Sequence, residues 1–331
     1  MIKFAKPMIG EDERRRVGNA LCCDRLTEGP LVDQFETMFG ERFGGYAAAV
    51  SSCTAALHLA GLTLKAGVIN VPAMTHPATA LAMKAAGHEV LFDDCEENGV
   101  STDCGVSVDF MGQQAPHGYI EDAATALHLK GYGNIACFSF YPAKQMTTGE
   151  GGMVLCRDED AAKEIRSMRA FGKPDFSRFG LNYRMSEMSA ALGIAQLGRL
   201  TEFIERRREN EAVLRETLKD FELIGDNYAI SVLVEDRDTI REQLFEAGVE
   251  TSVYYQTPVP HTPYFGESKS YPNAERISSQ SITLSIGPHL TPSDMVLQGA
   301  LVNELLLSEG RGLSATILPY PSLKRATTSQ S

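Results

Sequence analysis

The stretch Phe138-Ser139-Phe140-Tyr141-Pro142-Ala143-Lys144-Gln145-Met146-Thr147-Thr148-Gly149-Glu150-Gly151-Gly152 decides the reading of this chain. An apolar β-type run, Ile135–Phe140, leads into a turn that carries a lysine. Glycines follow, and a second β-type run occupies Met153–Cys156. A lysine held on a turn at the end of a strand, with glycine beside it to permit close backbone approach, has the placement a Schiff-base lysine needs. The lysine alone does not decide the matter, because most loop lysines are simply solvated.

Outward from this block the first two-thirds of the chain alternate short β-type runs with helical periods, which predicts an α/β fold with a mainly parallel sheet covered on both faces by helices. Strands are expected at Tyr46–Val50, Val68–Val71, Glu89–Asp93, Val106–Phe110 and Tyr119–Glu121, and helices at Pro30–Phe43 and Thr54–Leu64. A long helical stretch from Ser186 to about Phe221 bridges into a smaller α+β unit. That unit has strands near Ala229–Glu235, Glu250–Tyr255 and Ile282–Ile286 and helices near Thr239–Ala247 and Pro292–Leu307. The expected organisation is a large domain over 1–205, a small C-terminal domain over 206–308 and a flexible, Ser/Thr/Pro-rich tail over 309–331.

The chain has 331 residues, 43% of them apolar, and a formal net charge of −12. A sizeable core is possible, and the negative charge argues against binding nucleic acid or anionic membranes. No apolar run reaches the length of a membrane span, and residues 1–7 lack the apolar core of a signal peptide. Seven cysteines form no CxxC pair, so reduced thiols in a cytoplasmic protein are expected. The adjacent Cys22 and Cys23 read as buried helix positions. None of the seven histidines pairs with a cysteine at ligand spacing, so no metal is expected.

Three further segments carry chemistry. Ile120-Glu121-Asp122 is an apolar strand ending in carboxylates, and a pyridoxal ring needs an anion beside its nitrogen; Asp122 reads equally as the cap of a helical-looking Ala123–Leu129. Val50-Ser51-Ser52-Cys53-Thr54-Ala55-Ala56-Leu57 runs from a strand through small hydroxylated residues into a helix N-terminus, where free N–H groups and the helix dipole favour phosphate. Pro72-Ala73-Met74-Thr75-His76-Pro77 is another strand-to-helix turn and carries a flat ring. Taken singly, each reads as well as an ordinary cap or an exposed turn.

One connection departs from a routine doubly wound sheet. Only Met111–Gly118 separate two strands, whereas a parallel crossover with its own helix needs a dozen residues or more. Either the covering helix is missing or the two strands are not parallel neighbours.

The sequence resembles the DegT/DnrJ/EryC1/StrS family of sugar aminotransferases, which have the fold-type-I aspartate-aminotransferase architecture. The resemblance runs from about Leu26 to Leu307. It rests on Leu26–Pro30 with Phe35-Glu36, Ser52–Leu57, Thr75-His76, Glu121–Ala124, the Phe138–Gly152 block, Gly180-Leu181-Asn182-Tyr183-Arg184-Met185-Ser186, Ala190–Gly193 with Gln196-Leu197, and Pro260–Tyr264. It implies pyridoxal 5′-phosphate as cofactor, with Lys144 forming the Schiff base and moving the proton, and Asp122 pairing with the pyridinium nitrogen. Cys53, Thr54 and Ser139 would hold the phosphate, Asn182 would reach it from the other subunit of a homodimer, and His76 would lie over the ring. His261 and Tyr264 would contact the sugar or its nucleotide. The substrates implied are a nucleotide-linked keto-sugar and an amino-acid donor, usually glutamate.

Two departures stand out. Thr125 occupies the position where the family usually has Gln or His against the ring hydroxyl, and the crossover helix between Gly112 and Tyr119 is absent, so its sheet face would be thinner and covered by a partner or the tail. These departures keep a non-catalytic or altered-specificity relative in view. Relatives that dehydrate sugars carry histidine at the lysine position, and Lys144 argues against that chemistry. A nicotinamide oxidoreductase ranks last, because no GxGxxG follows the first strand.

Overall fold

The structure, a computed structural model, describes residues 1–102, 105–129 and 131–308. The expected flexible tail and Cys104 lie outside these residues. The chain opens with helices α1 (Glu11–Ala20) and α2 (Pro30–Phe43). There follow β1 (Tyr46–Val50), α3 (Cys53–Leu62), β2 (Val68–Pro72), α4 (Pro77–Ala85), β3 (Glu89–Asp93), β4 (Val106–Val108), β5 (Ile120–Asp122), β6 (Ile135–Ser139), β7 (Gly152–Cys156) and α5 (Glu159–Met168). The strands pair in the order β1-β7-β6-β5-β4, with β2 and β3 forming a parallel pair beside β4. Strand β7 runs antiparallel to both its neighbours; the β6–β5 and β5–β4 pairings are parallel. This is the mainly parallel α/β sheet the alternating pattern predicts.

Strand residues alternate between two buried faces, as a period of two requires. Val50, Val106, Ile120, Cys137 and Val154 meet α3, α4 and α5 on one face. Ala49, Ala136, Phe138, Met153 and Leu155 meet Val32, Phe35 and Phe39 of α2 on the other. The long helix α6 (Glu187–Thr217, 31 residues) caps that second face and runs unbroken through residue 205, spanning about 46 Å. Its far end packs with α7 (Arg237–Glu246) and α9 (Pro292–Ser308) around a three-stranded antiparallel sheet of β8 (Leu223–Ile224), β9 (Ala229–Leu233) and β10 (Ser281–Ser285). Helix α8 (Pro272–Gln280) leads into β10.

The short crossover is real. β4 and β5 are parallel neighbours, and between them lie a single 3-10 turn, Phe110–Gly112, and extended chain. The face that a crossover helix would cover is polar here: Ser107, Asp109 and Glu121 are buried at 0–1% exposure. The connection folds over them itself, with Ala115 N–H donating to Asp109 Oδ1 at 3.0 Å and Gly118 N–H to Ser107 Oγ at 3.1 Å. Buried backbone donors need partners, and these side chains supply what a helix would have satisfied internally. The turn also docks on the C-terminal unit. Gly112 has φ +85°, and a Cβ on it would sit 2.1 Å from the Asp226 carbonyl.

Three local expectations are corrected. Ala123–Leu129 forms successive turns rather than a helix, through Ala126 N–H to Ala123 O and Leu129 N–H to Ala126 O. Residues 250–255 form no strand, only a single bridge from Ser252 to Thr283. Cys22 and Cys23 are exposed in the turn after α1, their thiols donating to Gly18 O and Asn19 O. Apolar composition alone cannot distinguish the last turn of a helix from the residues just past it.

Candidate active site

Lys144 lies on the turn after β6, its N–H donating to the Tyr141 carbonyl at 2.9 Å and its Nζ 5.3 Å from the centre of the Tyr228 ring. It opens into a cavity of about 410 Å³ at the carboxyl ends of β5 and β6, the edge where open α/β sheets bind ligands. Cys53, Thr54, His76, Asp122, Thr125 and Ser139 line the same cavity. Of the residues expected around a cofactor, Asn182 alone is elsewhere in the chain's own site. It is exposed, with Oδ1 accepting from Arg184 Nε at 2.9 Å. His261 and Tyr264 also lie outside the cavity; His261 Nε2 is 2.8 Å from the Lys269 carbonyl, and Tyr264 is 65% exposed.

Asp122 ends β5 with its carboxylate directed to the α3–α4 side of the sheet. Oδ2 accepts from Thr79 Oγ1 at 2.7 Å and Oδ1 from Ala124 N–H at 3.1 Å. Thr75 Oγ1 lies 2.8 Å from Thr79 Oγ1, extending the chain of hydroxyls. The Ser52 side chain caps α3 by accepting from Ala55 N–H at 3.1 Å, which leaves the other N–H groups of the first turn for an anion. Gly152 lets β7 start against this turn: a Cβ there would fall 2.5 Å from the Ser52 carbonyl carbon. Burial, reinforced by the Asp122 carboxylate, pushes the Cys53 thiol well above its ordinary value, so it stays a neutral thiol.

His76 caps α4, with Nδ1 accepting from Ala78 N–H at 3.1 Å. Burial pushes its pKa down and Lys144 adds to the effect, while Asp122 opposes it; the ring is therefore neutral with its proton on Nε2. Thr125 Oγ1 donates to the Asp109 carbonyl at 2.9 Å and accepts from Gly112 N–H at 3.2 Å, tying the short crossover in place.

Sequence reasoning missed Thr75, Thr79 and the tyrosines Tyr228, Tyr254 and Tyr255, which bring the C-terminal unit onto the cavity. The Tyr228 and Tyr254 hydroxyls are 3.1 Å apart, and Tyr255 meets His76 edge-on at 5.8 Å. The adjacent Tyr254-Tyr255 pair was a visible signal, obscured by its assignment to a strand.

A lysine and a hydrogen-bonded carboxylate facing one cavity beside a free helix N-terminus fit an aldehyde cofactor bearing a ring nitrogen and a phosphate. The site and fold define a fold-type-I pyridoxal-phosphate enzyme. The chain belongs to the DegT/DnrJ/EryC1/StrS aminotransferase family, whose model matches residues 7–104 and 116–298; the interruption falls on β4 and the short crossover. Its cofactor is pyridoxal 5′-phosphate. It is 28% identical to the spore coat polysaccharide biosynthesis protein SpsC of Bacillus subtilis, over 89% of this chain and 94% of that protein. It is 30% identical to the dTDP-3-amino-3,4,6-trideoxy-alpha-D-glucose transaminase of Streptomyces venezuelae, over 87% and 90%. The aminotransferase PseC of Helicobacter pylori has the same fold, with a TM-score of 0.85 at 21% identity over 93% of this chain and 99% of that one. Among the described residues no helix is long and apolar enough to cross a membrane, and no cluster of three or more His, Cys, Asp or Glu residues has metal-site geometry.

Proposed function

We propose that this enzyme moves an amino group from glutamate to a keto-sugar linked to a nucleoside diphosphate, working as a cytoplasmic homodimer. The observation that carries the reading is the convergence of Lys144 and Asp122 on one cavity, in a chain whose relatives include a transaminase named for a nucleotide-linked sugar. When bound, pyridoxal phosphate supplies an electron-poor ring that drains the charge left as a proton departs beside the amino nitrogen.

The chain's own residues would do the rest. Lys144 anchors the cofactor through Nζ and then takes and returns the proton at that atom. Asp122, fixed by Thr79 and the Ala124 N–H, keeps the ring nitrogen protonated. The N-terminus of α3 with Cys53, Thr54 and Ser139 holds the phosphate, and Asn182 of each subunit reaches the other's phosphate, as its exposure here allows. The neutral His76 ring covers one ring face, and Thr125 lines the same cavity. His261 and Tyr264, which lie outside the cavity, contact the parts of the sugar or nucleotide that extend beyond it.

The test is a panel of nucleotide-linked keto-sugars offered with glutamate, following release of 2-oxoglutarate. At least one nucleotide-linked substrate should turn over and the corresponding free sugars should not. Equal turnover of free sugars would overturn the nucleotide-sugar assignment.

A further inference from the structure

Asp122 shares the cavity with Lys144, but its carboxylate is held by Thr79 Oγ1 and the Ala124 N–H. Among the described residues no carboxylate pairs with Lys144 Nζ and no group accepts a hydrogen bond from it. What Nζ meets is the face of Tyr228, whose ring centre lies 5.3 Å away. A cation over an aromatic face, within about 6 Å of its centre, is attracted by the negative charge of the π system.

The ring is fixed independently of the lysine. The Tyr228 carbonyl accepts from Arg207 Nη1 at 2.7 Å, and its hydroxyl lies 3.1 Å from that of Tyr254. The preceding residue, Asn227, is fully buried; its N–H donates to Glu211 Oε2 at 2.7 Å and its Oδ1 accepts from Gln145 Nε2 at 3.2 Å. Gln145 follows Lys144 in the chain, is itself buried, and is oriented by Leu127 N–H donating to its Oε1 at 2.7 Å. The lysine turn and the segment entering β9 are thus tied together one residue away from the Lys144–Tyr228 contact. Arg207 Cζ is 5.9 Å from the same ring centre, so a second cation shares the ring and the hold on Lys144 is shallow.

We propose that Tyr228 is a positioning residue for the proton transfer, its ring receiving the Lys144 amino group once the amino substrate has displaced it from the cofactor. This rests on the transamination through Lys144 proposed above, and does not depend on which sugar is aminated. A released lysine is a flexible four-carbon stem that needs a resting place close to the reacting carbon. As Nζ takes the proton from the carbon beside the amino nitrogen it turns from amine to ammonium, and the electron pair left behind passes to the cofactor. The ring attracts the ammonium more than the neutral amine, so it favours the state in which the proton is on Nζ. A carboxylate in its place would form a charge-assisted hydrogen bond and hinder return of the proton.

The full-length protein crystallised with pyridoxamine 5′-phosphate, which leaves Lys144 unbonded, should show Nζ over the Tyr228 ring within about 6 Å of its centre. Nζ paired with a carboxylate or turned out of the cavity overturns the proposal. Tyr228→Phe keeps the ring and Tyr228→Leu removes it. In single turnovers with glutamate, Tyr228→Phe should react within about threefold of the wild type and Tyr228→Leu roughly tenfold more slowly. Tyr228→Leu should also show a larger isotope effect with glutamate deuterated at Cα, yet bind pyridoxal phosphate within about threefold of the wild type. Equal rates for the two variants, or an unchanged isotope effect in Tyr228→Leu, overturn the role of the ring. If borohydride fails to fix pyridoxal phosphate to Lys144 in the wild type, the Schiff-base assignment falls, and this proposal with it. If Tyr228→Leu does not fold or the wild type is inert to glutamate, the wild-type crystal structure decides alone.

Discussion

Thr79 Oγ1 donates to Asp122 Oδ2 at 2.7 Å, so the first turn of α4 reaches over the end of β5 and fixes the carboxylate that faces the active-site cavity. The hydroxyl's single proton is committed there, which makes Thr75 Oγ1, 2.8 Å away, the donor to Thr79. Thr79→Val removes both bonds with little change of volume. A hydrogen bond to a charged group contributes about 1.5–3 kcal/mol, so cofactor affinity should fall roughly tenfold or more while the fold persists. Titration of the apoprotein with pyridoxal phosphate, followed by absorbance, measures this; unchanged affinity would show that Asp122 holds its place without α4.

Gly152 and Ser52 set a second test. Gly152→Ala places a methyl group within 2.6 Å of the Ser52 carbonyl oxygen. Neither partner is a flexible side chain, so the first turn of α3 must move away from β7. Phosphate held by backbone N–H groups depends on their positions. The variant should bind inorganic phosphate and pyridoxal phosphate at least tenfold more weakly, while pyridoxal lacking the phosphate loses little. Equal losses for both ligands would place the damage elsewhere.

Asp109 gives a pH-dependent prediction. Burial foremost, then the neighbouring Glu121 carboxylate, pushes its pKa well above the ordinary carboxylate value. Asp109 Oδ2 and Glu121 Oε1 are both buried and neither meets a donor; a proton held on Asp109 supplies one. Because the folded pKa is the higher one, the folded state keeps a proton that the unfolded state releases. The contribution to stability is complete below the unfolded pKa and is lost as pH rises through the folded one. Asp109→Asn keeps the carbonyl that Ala115 N–H requires and offers Glu121 an amide donor at any pH. Its Tm should exceed the wild type's at pH 8.5, by less at pH 5, and match it only below the unfolded carboxyl pKa, near pH 3, in thermal melts at constant ionic strength.

Much of this was legible in the sequence, and the reason is local chemistry. Ser139 and Asp122 end strands whose apolar runs are unmistakable, Lys144 sits on the turn that follows the first of them, and Cys53 opens a helix announced by Ser52. The short crossover was legible as arithmetic, since eight residues cannot hold a helix and return. Its compensation was not: that Ser107, Asp109 and Glu121 turn a covered face polar depends on register across β4 and β5, which no single segment carries. Tyr228, Tyr254 and Tyr255 escaped for the same reason, because they reach the cavity from the C-terminal unit. Asn182 shows the reverse case, an assignment carried only by family likeness, on a residue that the chain's own cavity does not include.

Glu187 anchors the start of α2 from the first turn of α6. Its carboxylate accepts from the N–H groups of Gly29, Leu31 and Val32 at 3.0–3.1 Å and is fully buried. A helix N-terminus favours negative charge, and these donors have no other partner within the helix. Glu187→Ala should therefore cost about 3 kcal/mol in denaturant unfolding, and Glu187→Gln less, because an amide oxygen still accepts.

Thr125 separates a structural role from the one family likeness implies. Its proton is donated to the Asp109 carbonyl and its oxygen accepts from Gly112 N–H, so the hydroxyl has no proton left for a cofactor's ring oxygen. Thr125→Val should loosen the short crossover, lowering stability by about 1–2 kcal/mol as two neutral hydrogen bonds are lost, yet leave cofactor affinity within about threefold. Paired measurements of unfolding free energy and pyridoxal-phosphate affinity decide it. A tenfold loss of affinity with unchanged stability would instead assign Thr125 to the ring, as the Gln or His of its relatives is assigned, and the crossover would then be held by Asp109, Ser107 and Gly112 alone.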